Sequence, residues 1–288
     1  MSRSRHGEAQ ARILDGRGFA LGDHDPAARL LDAEERLEKG VARLAKLQSR
    51  LWAQDRWSLL LVFQGMDASG KDGVIKHVFR GVDPLGCETT AFKAPHAEEL
   101  DHTWLWRVVK RLPERGRIGV WNRSHYEEVV AVRANPRLLA AQKLPSDLVG
   151  AGVWDERLDD IAAFERHLAR NGVRVAKFML HISKDEQRRR LLERIEDPAK
   201  NWKFSLSDLD DRAAWDAHHA AYEAAIRATA APHAPWWVVP ADDKPSARAM
   251  VVEAVVDLLE GLDLSTPSTG EAKRQELEEG RRRLDAEG

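Results

Sequence analysis

From Pro26 to Gln54 apolar residues recur with helical spacing. Leu30, Leu37, Leu44 and Leu51 stand seven residues apart, and Leu31, Val41 and Leu47 widen the stripe. The pattern predicts a long amphipathic helix, laid on a core or paired with a second subunit through a coiled-coil seam. Trp57 to Gln64 reads differently. Its WSLLLVFQ run is continuous rather than alternating, as in a strand buried on both faces. A glycine-rich loop follows, and helical spacing resumes to about Arg80. Short strands are predicted at Glu88–Lys93, Arg117–Trp121, Val173–Ile182 and Trp236–Val239. Helices are predicted at His96–Leu112, Glu156–Arg170, Lys184–Ile195, Ser207–Thr229 and Pro245–Leu262. This alternation implies an α/β fold, a parallel sheet sandwiched by helices. One domain is expected over residues 26–262. Residues 1–25 form an extension without periodicity, draped over the body or mobile. Residues 263–288 form a polar, charge-dense tail, either poorly ordered or a solvated helix.

Composition narrows the function. Of 288 residues, 43% are hydrophobic, enough for a sizeable core. The 45 Lys and Arg nearly cancel the 47 Asp and Glu, which argues against a uniformly basic coat and against nucleic acid as partner. Any polyanion site must therefore arise by local segregation of charge. Cys87 is the single cysteine, so an internal disulfide and a cysteine-based zinc site are both excluded. The histidines show no metal-ligating spacing, and adjacency of Ser124 and His125 does not make a triad. Met1 to Gln10 lacks the apolar run of a signal peptide, and no apolar stretch approaches the ~20 residues of a membrane span. A cytoplasmic protein with no membrane partner is expected.

Gly65-Met66-Asp67-Ala68-Ser69-Gly70-Lys71-Asp72-Gly73 has the G-x-x-x-x-G-K spacing. It lies between a predicted buried strand and a helix, the context that such a motif requires. Glycines let successive N–H groups turn inward on phosphate oxygens, and the helix start adds a favourable dipole. Gly65, Ala68, Ser69, Gly70, Lys71, Asp72, Gly73 and Lys76 form the expected phosphate-binding set, with Lys71 as a point charge for the transferable group. Asp72 stands where Ser or Thr usually holds Mg²⁺, and Asp67 adds a second carboxylate. Two acids beside a polyanion make sense if a divalent cation lies between them. Asp67 is the first choice of metal ligand; Asp72 is either a second ligand or a helix cap. Mg²⁺ is the expected cofactor, with Mn²⁺ as a substitute.

Ligands of open α/β sheets gather beyond the carboxyl ends of strands, so Asn122-Arg123-Ser124-His125-Tyr126-Glu127-Glu128 should face the loop. Arg123 suits a phosphate. Glu127 or Glu128 orients an acceptor or a metal-bound water, or merely pairs with Arg133. Cationic residues cluster twice along the chain. The first set includes Arg107, Lys110, Arg111, Arg115, Arg117, Arg123 and Arg133; the second includes Lys184, Arg188, Arg189, Arg190, Arg194, Lys200 and Lys203. Lys93, Arg107, Lys110 and Arg133 are candidates for an anion groove. Arg188, Arg189 and Arg190 are candidates for a helical lid over about 184–209 that closes on substrate and excludes water. Asp185–Arg189 and Glu186–Arg190 have the i,i+4 spacing of surface pairs. Trp57, Trp236 and Trp237 belong to the core. Trp104, Trp106, Trp121, Trp154, Trp202 and Trp215 could include a base-stacking platform, although core or lid packing is the commoner role.

FQGMDASGKDG (Phe63–Gly73), FKAPHAEELDHTWLWR (Phe92–Arg107), NRSHYEEV (Asn122–Val129), DPAKNWKFSLSDL (Asp197–Leu209) and WWVVPADDK (Trp236–Lys244) together resemble the polyphosphate kinase 2 family. The resemblance implies a thymidylate-kinase-like P-loop kinase fold and Mg²⁺-dependent phosphoryl transfer between inorganic polyphosphate and a purine nucleotide. It puts Asp67 and Lys71 in the Walker A site, Asn122 and Arg123 on its Walker B counterpart, and Arg188 to Arg190 on the lid. NRSHYE at the strand end resembles class III of the family, which accepts nucleoside monophosphates as well as diphosphates; the other classes carry Asp at the position of Asn122. AMP and ADP are thus the expected acceptors, with GMP and GDP as further ones. A homo-oligomer is expected from family habit and the Leu30–Leu51 stripe. The rivals are an ATP-dependent nucleotide kinase of the same fold and a P-loop module without turnover.

Overall fold

The computed structural model describes residues 11–287, so the first ten residues of the N-terminal extension lie outside the described residues. In chain order the elements begin with strand β1 (Ala11–Ile13), helix α1 (Ala33–Gln54), β2 (Ser58–Gln64), α2 (Lys71–Val78) and β3 (Cys87–Ala91). Helices α3 (Ala97–Leu100) and α4 (Trp104–Val109), β4 (Ile118–Asn122), α5 (Ala131–Ala134), α6 (Pro136–Ala140) and α7 (Val153–Arg170) follow. The chain continues with β5 (Val173–His181), α8 (Lys184–Glu196), α9 (Ser207–Ala213), α10 (Trp215–Thr229), β6 (Trp236–Pro240), α11 (Lys244–Glu260) and α12 (Glu271–Asp285).

The sheet order is β1-β6-β5-β2-β4-β3. The continuous apolar run predicted a strand covered on both faces, and every residue of β2 is buried at the centre of the sheet. β2 pairs in parallel with β4 and β5, β3 with β4, and β5 with β6. The α/β expectation thus holds, with one difference. Part of the N-terminal extension adds β1 antiparallel to β6, Arg12 opposite Trp237; three residues are too short to carry an alternation signal.

The leucine stripe of α1 is spent within the chain. Leu37, Val41, Leu44, Leu47 and Leu51 are buried, and the helix packs along α11. At Gly40 a Cβ would come within 2.5 Å of Val252 Cγ1, so the glycine permits the close approach of the two helices. Arg36 pairs with Glu253 at 2.6 Å and Arg43 with Glu260 at 2.7 Å along the flank of this contact. The coiled-coil reading is therefore corrected, and with it the stripe as an argument for an oligomer. The helix also starts later than the pattern suggested: Asp32 adopts φ 53°, leaving Leu31 85% exposed.

Two predicted helices are each broken in two. Extended backbone at Thr103 separates α3 from α4, and Ala214 at φ −87°, ψ 23° separates α9 from α10. In the tail, α12 buries nothing, which is the solvated-helix alternative; even Leu277 and Leu284 stand exposed. No helix among the described residues is long and apolar enough to cross a membrane.

Candidate active site

β2 ends at Gln64 and the chain turns at once into the glycine loop. Gly65 has φ 146°, and a Cβ there would lie 2.7 Å from Leu180 O, so the turn admits only glycine. Ala68 is held at φ 63°, a strained conformation that marks functional loops. The strain is imposed from outside. Gln187 Nε2 on α8 donates to Asp67 O at 3.0 Å, and Arg190 Nη1 donates to Ala68 O and Ser69 O, both at 3.0 Å. Arg190 Nη2 also reaches Ala241 O (2.6 Å) and Asp242 O (3.0 Å) beyond β6, while its Nε pairs with Glu186 at 2.7 Å. Three consecutive loop carbonyls are thus drawn towards α8. Gly70 occupies the N-cap of α2 without any side-chain acceptor, so the first-turn amides remain available to an anion.

Lys71 is buried and donates to Gly65 O at 2.7 Å and Met66 O at 3.2 Å. Burial, and then the nearby Arg123, lower its pKa. Arg123, directly after β4, sits at φ 62°. Its Nη2 donates to Asp67 Oδ1 at 2.6 Å, and Nη1 lies 3.6 Å from Glu127 Oε2. The Glu127 carboxylate, opposed by burial, raises the Arg123 pKa. Burial works to raise the Asp67 carboxyl, but Lys71 and Arg123 hold it below the usual range. Burial raises Glu127, against the pull of Arg123 and Lys71. With its amide nitrogen towards Glu127, Gln64 donates to Oε1 at 2.9 Å.

These groups open on a cleft of about 660 Å³ at the carboxyl ends of the strands. Lys71, Lys93, Arg123, Arg190, Arg194, Lys200, Lys203 and Lys244 line it, against the acids Asp67, Asp72, Glu193 and Asp208. Two basic side chains stand for each acid, so a chain near neutrality overall builds a local cationic trough. It has the shape and sign to hold an extended polyanion with its end on the α2 amides.

The sequence profile described as Polyphosphate kinase 2 (PPK2) matches residues 31–267. The chain belongs to the polyphosphate kinase 2 family. Among similar proteins is the ADP-polyphosphate phosphotransferase of Rhodopseudomonas palustris, 49% identical over 87% of this chain and 87% of the relative. The AMP/ADP-polyphosphate phosphotransferase of Meiothermus ruber is 45% identical, covering 78% of this chain and 80% of that protein. The crystal structure of Polyphosphate Kinase 2 from Arthrobacter aurescens TC1 superposes with a TM-score of 0.83 at 38% identity, covering 96% of each chain. The P-loop kinase fold of this family is the fold seen here, and the chain is a polyphosphate kinase.

Within this family frame the sequence-derived residues separate into groups. Gly70, Lys71, Asp72, Gly73, Ala68, Asp67, Asn122 and Arg123 line the cleft. Ser69 is buried beneath it, and Gly65 and Glu127 border a small cavity of about 30 Å³ behind the loop. Lys76, further along α2, is exposed and does not line the cleft. Asp72 does not cap its helix. Its Oδ1 accepts from Asn122 Nδ2 at 2.7 Å, and its Oδ2 lies 3.5 Å from Lys203. Of the three lid arginines only Arg190 lines the cleft. Arg188 is exposed; Arg189 pairs outside with Glu186 at 2.6 Å and Glu193 at 3.5 Å.

Of the four groove candidates, Lys93 alone lines the cleft. Arg107 donates to Lys93 O at 2.7 Å and pairs with Glu99. Lys110 lies 3.9 Å above the Trp106 ring, and Arg133 lies on α5, away from the trough. Glu128 pairs with Arg157 at 3.1 Å rather than with Arg133, and accepts from Gln142 at 2.7 Å. Sequence reasoning missed Lys244. Its signal was available: it follows β6 by a few residues, where a parallel sheet gathers its ligands. Below the site lies a network no pattern announced. Lys177 Nζ, wholly buried in mid-β5, donates to Glu165 Oε2 (2.5 Å), Tyr126 OH (3.1 Å) and Thr229 O (2.8 Å). No group of three or more His, Cys, Asp or Glu able to cage a metal occurs among the described residues.

Proposed function

We propose that the enzyme transfers the terminal phosphoryl group of inorganic polyphosphate to AMP and ADP, with GMP and GDP as further acceptors. The observation that carries the reading is the trough of eight basic side chains leading to the uncapped start of α2. A conventional nucleotide donor needs a single phosphate cradle; a donor with about one charge per phosphate uses the whole trough.

Polyphosphate lies along Lys244, Lys200 and Arg194, its last phosphoryl group held by the α2 amides, Lys71 and Arg123. An oxygen of the nucleotide phosphate attacks the terminal phosphorus, the bond to the bridging oxygen breaks, and the donor leaves one phosphate shorter. Little covalent chemistry falls to the protein, so positioning and charge neutralisation carry the rate. Mg²⁺, replaceable by Mn²⁺, suits this donor set because it takes one or two carboxylates and completes its shell with phosphate oxygens and water; Asp67 and Asp72 would hold it. When bound it neutralises charge on the transferred group. Asn122 keeps a neutral amide where an acid would add negative charge near the acceptor, which favours monophosphate acceptors. The test supplies polyphosphate and AMP or ADP without ATP and follows ADP and ATP by chromatography, with Lys71→Ala as control. Product from the native chain and none from the variant is expected. A native chain that forms product only when ATP is added refutes the reading.

A further inference from the structure

The trough is rich in charge for phosphates and poor in surface for a nucleoside. Among its described lining residues only Phe92 and Trp202 are aromatic. Phe92 is 7% exposed and packs edge-on to Trp121, whereas Trp202 is 78% exposed. An exposed apolar residue on an ordinary surface needs no explanation; a bare indole at the wall of a cationic cleft is different.

The indole is held in place. It lies in the 3-10 turn Asn201–Lys203 after α8. Trp202 Nε1 donates to Ala199 O at 3.1 Å. Asn201 Nδ2 donates to Arg194 O at 2.8 Å and Ile195 O at 2.7 Å, fastening the turn to the end of α8. Lys203 Nζ sits 5.0 Å from the ring centroid and 3.5 Å from Asp72 Oδ2 on α2. The ring is thereby coupled to the phosphate loop across the cleft, while most of its surface stays open. A planar base with π faces is the chemistry that fits such a platform, and stacking of this kind tolerates any base.

We propose that Trp202 stacks on the nucleobase of the acceptor nucleotide and supplies most of its nucleoside affinity. This rests on the polyphosphate:nucleotide transfer proposed above. Because the contact is with the face of the base and not its edge, adenine and guanine nucleotides gain alike.

The test measures equilibrium binding of AMP, GMP and tripolyphosphate, each with Mg²⁺, to the full chain and to Trp202→Ala and Trp202→Phe. Losing one base–aromatic stack weakens binding about 5- to 150-fold. Trp202→Ala is expected to lose AMP and GMP affinity within that range, Trp202→Phe to stay within about tenfold of the native chain, and tripolyphosphate to bind all three alike. Loss of tripolyphosphate affinity equal to that of AMP in Trp202→Ala would show that the side chain only orders the lid, and would overturn the proposal. Unchanged AMP affinity would overturn it too. Turnover of the native chain is read separately: absence of product from polyphosphate would defeat the functional reading, while the binding comparison still judges the stack.

Discussion

Arg190 looks from the sequence like a substrate-binding arginine of a lid; in the structure it lines the cleft and also holds the phosphate loop from behind, and the two roles separate in one experiment. Arg190→Ala removes the donors to Ala68 O, Ser69 O, Ala241 O and Asp242 O and leaves Glu186 with the exposed Arg189 as its remaining partner. Each buried acceptor stranded without a partner costs about 1–3 kcal/mol. Water entering the space of the guanidinium restores part of this. A net loss of about 3–5 kcal/mol follows, the usual cost of breaking a buried charged network. Gln187 still donates to Asp67 O, but Ala68 O and Ser69 O lose their donor, so Ala68 at φ 63° is held less firmly and the loop amides lose their alignment. Loss of one preorganised donor costs about 10²–10³ in rate, and a similar fall in kcat/KM is expected. Arg190→Lys stays close to the alanine variant, because one ammonium cannot span two pairs of carbonyls as the planar fork does. Urea unfolding at pH 7 and initial rates with saturating polyphosphate measure both effects. A residue that only bound substrate would raise KM and leave stability intact. An Arg190→Ala protein within about 1 kcal/mol of native stability would refute the reasoning.

The remaining expectations are simpler. Asn122→Asp sets a second carboxylate against Asp72, where Asn122 Nδ2 now donates at 2.7 Å; AMP turnover should fall more than ADP turnover, and equal losses in initial rate would count against the acceptor argument. His181 is buried beside His219 and His24, and burial lowers its pKa from 6.5 to about 4, with Asp25 opposing. Its folded pKa lies below the unfolded one, so stability is intact above about pH 6.5 and drains away as pH falls towards 4, a loss of about 3 kcal/mol. Urea midpoints across that window should flatten in His181→Asn. Glu165→Gln strands the buried Lys177 and should cost about 3–5 kcal/mol, whereas replacing both partners with apolar residues should cost much less; equal losses in urea melts would show that the pair's charge is immaterial.

The legible part of this protein is its local part. β2, the glycine loop and α2 were readable because a continuous apolar run, a close turn and a helix start each leave a mark within a few residues. Glu186–Arg190 was readable for the same reason. Asp185–Arg189 was not, because Arg189 had Glu186 and Glu193 within reach and took both. Lys177 lay outside any pattern: a lysine in VRVAKFML reads as an interruption until Glu165, from the α7 helix that packs on β5, is seen to meet it.

The groove shows how charge should have been read. Proximity in sequence grouped Arg107, Lys110 and Arg133, and the fold dispersed them to Glu99, Trp106 and α5. Distance from a strand's carboxyl end is the better guide. Lys71 follows β2, Lys93 follows β3, Arg123 follows β4, Arg190 and Arg194 lie on the helix after β5, and Lys244 follows β6. Parallel pairing brings those five ends to one edge whatever their separation along the chain. The near-neutral total charge was never an obstacle to a polyanion site, since the geometry that selects which cations converge is set by the sheet.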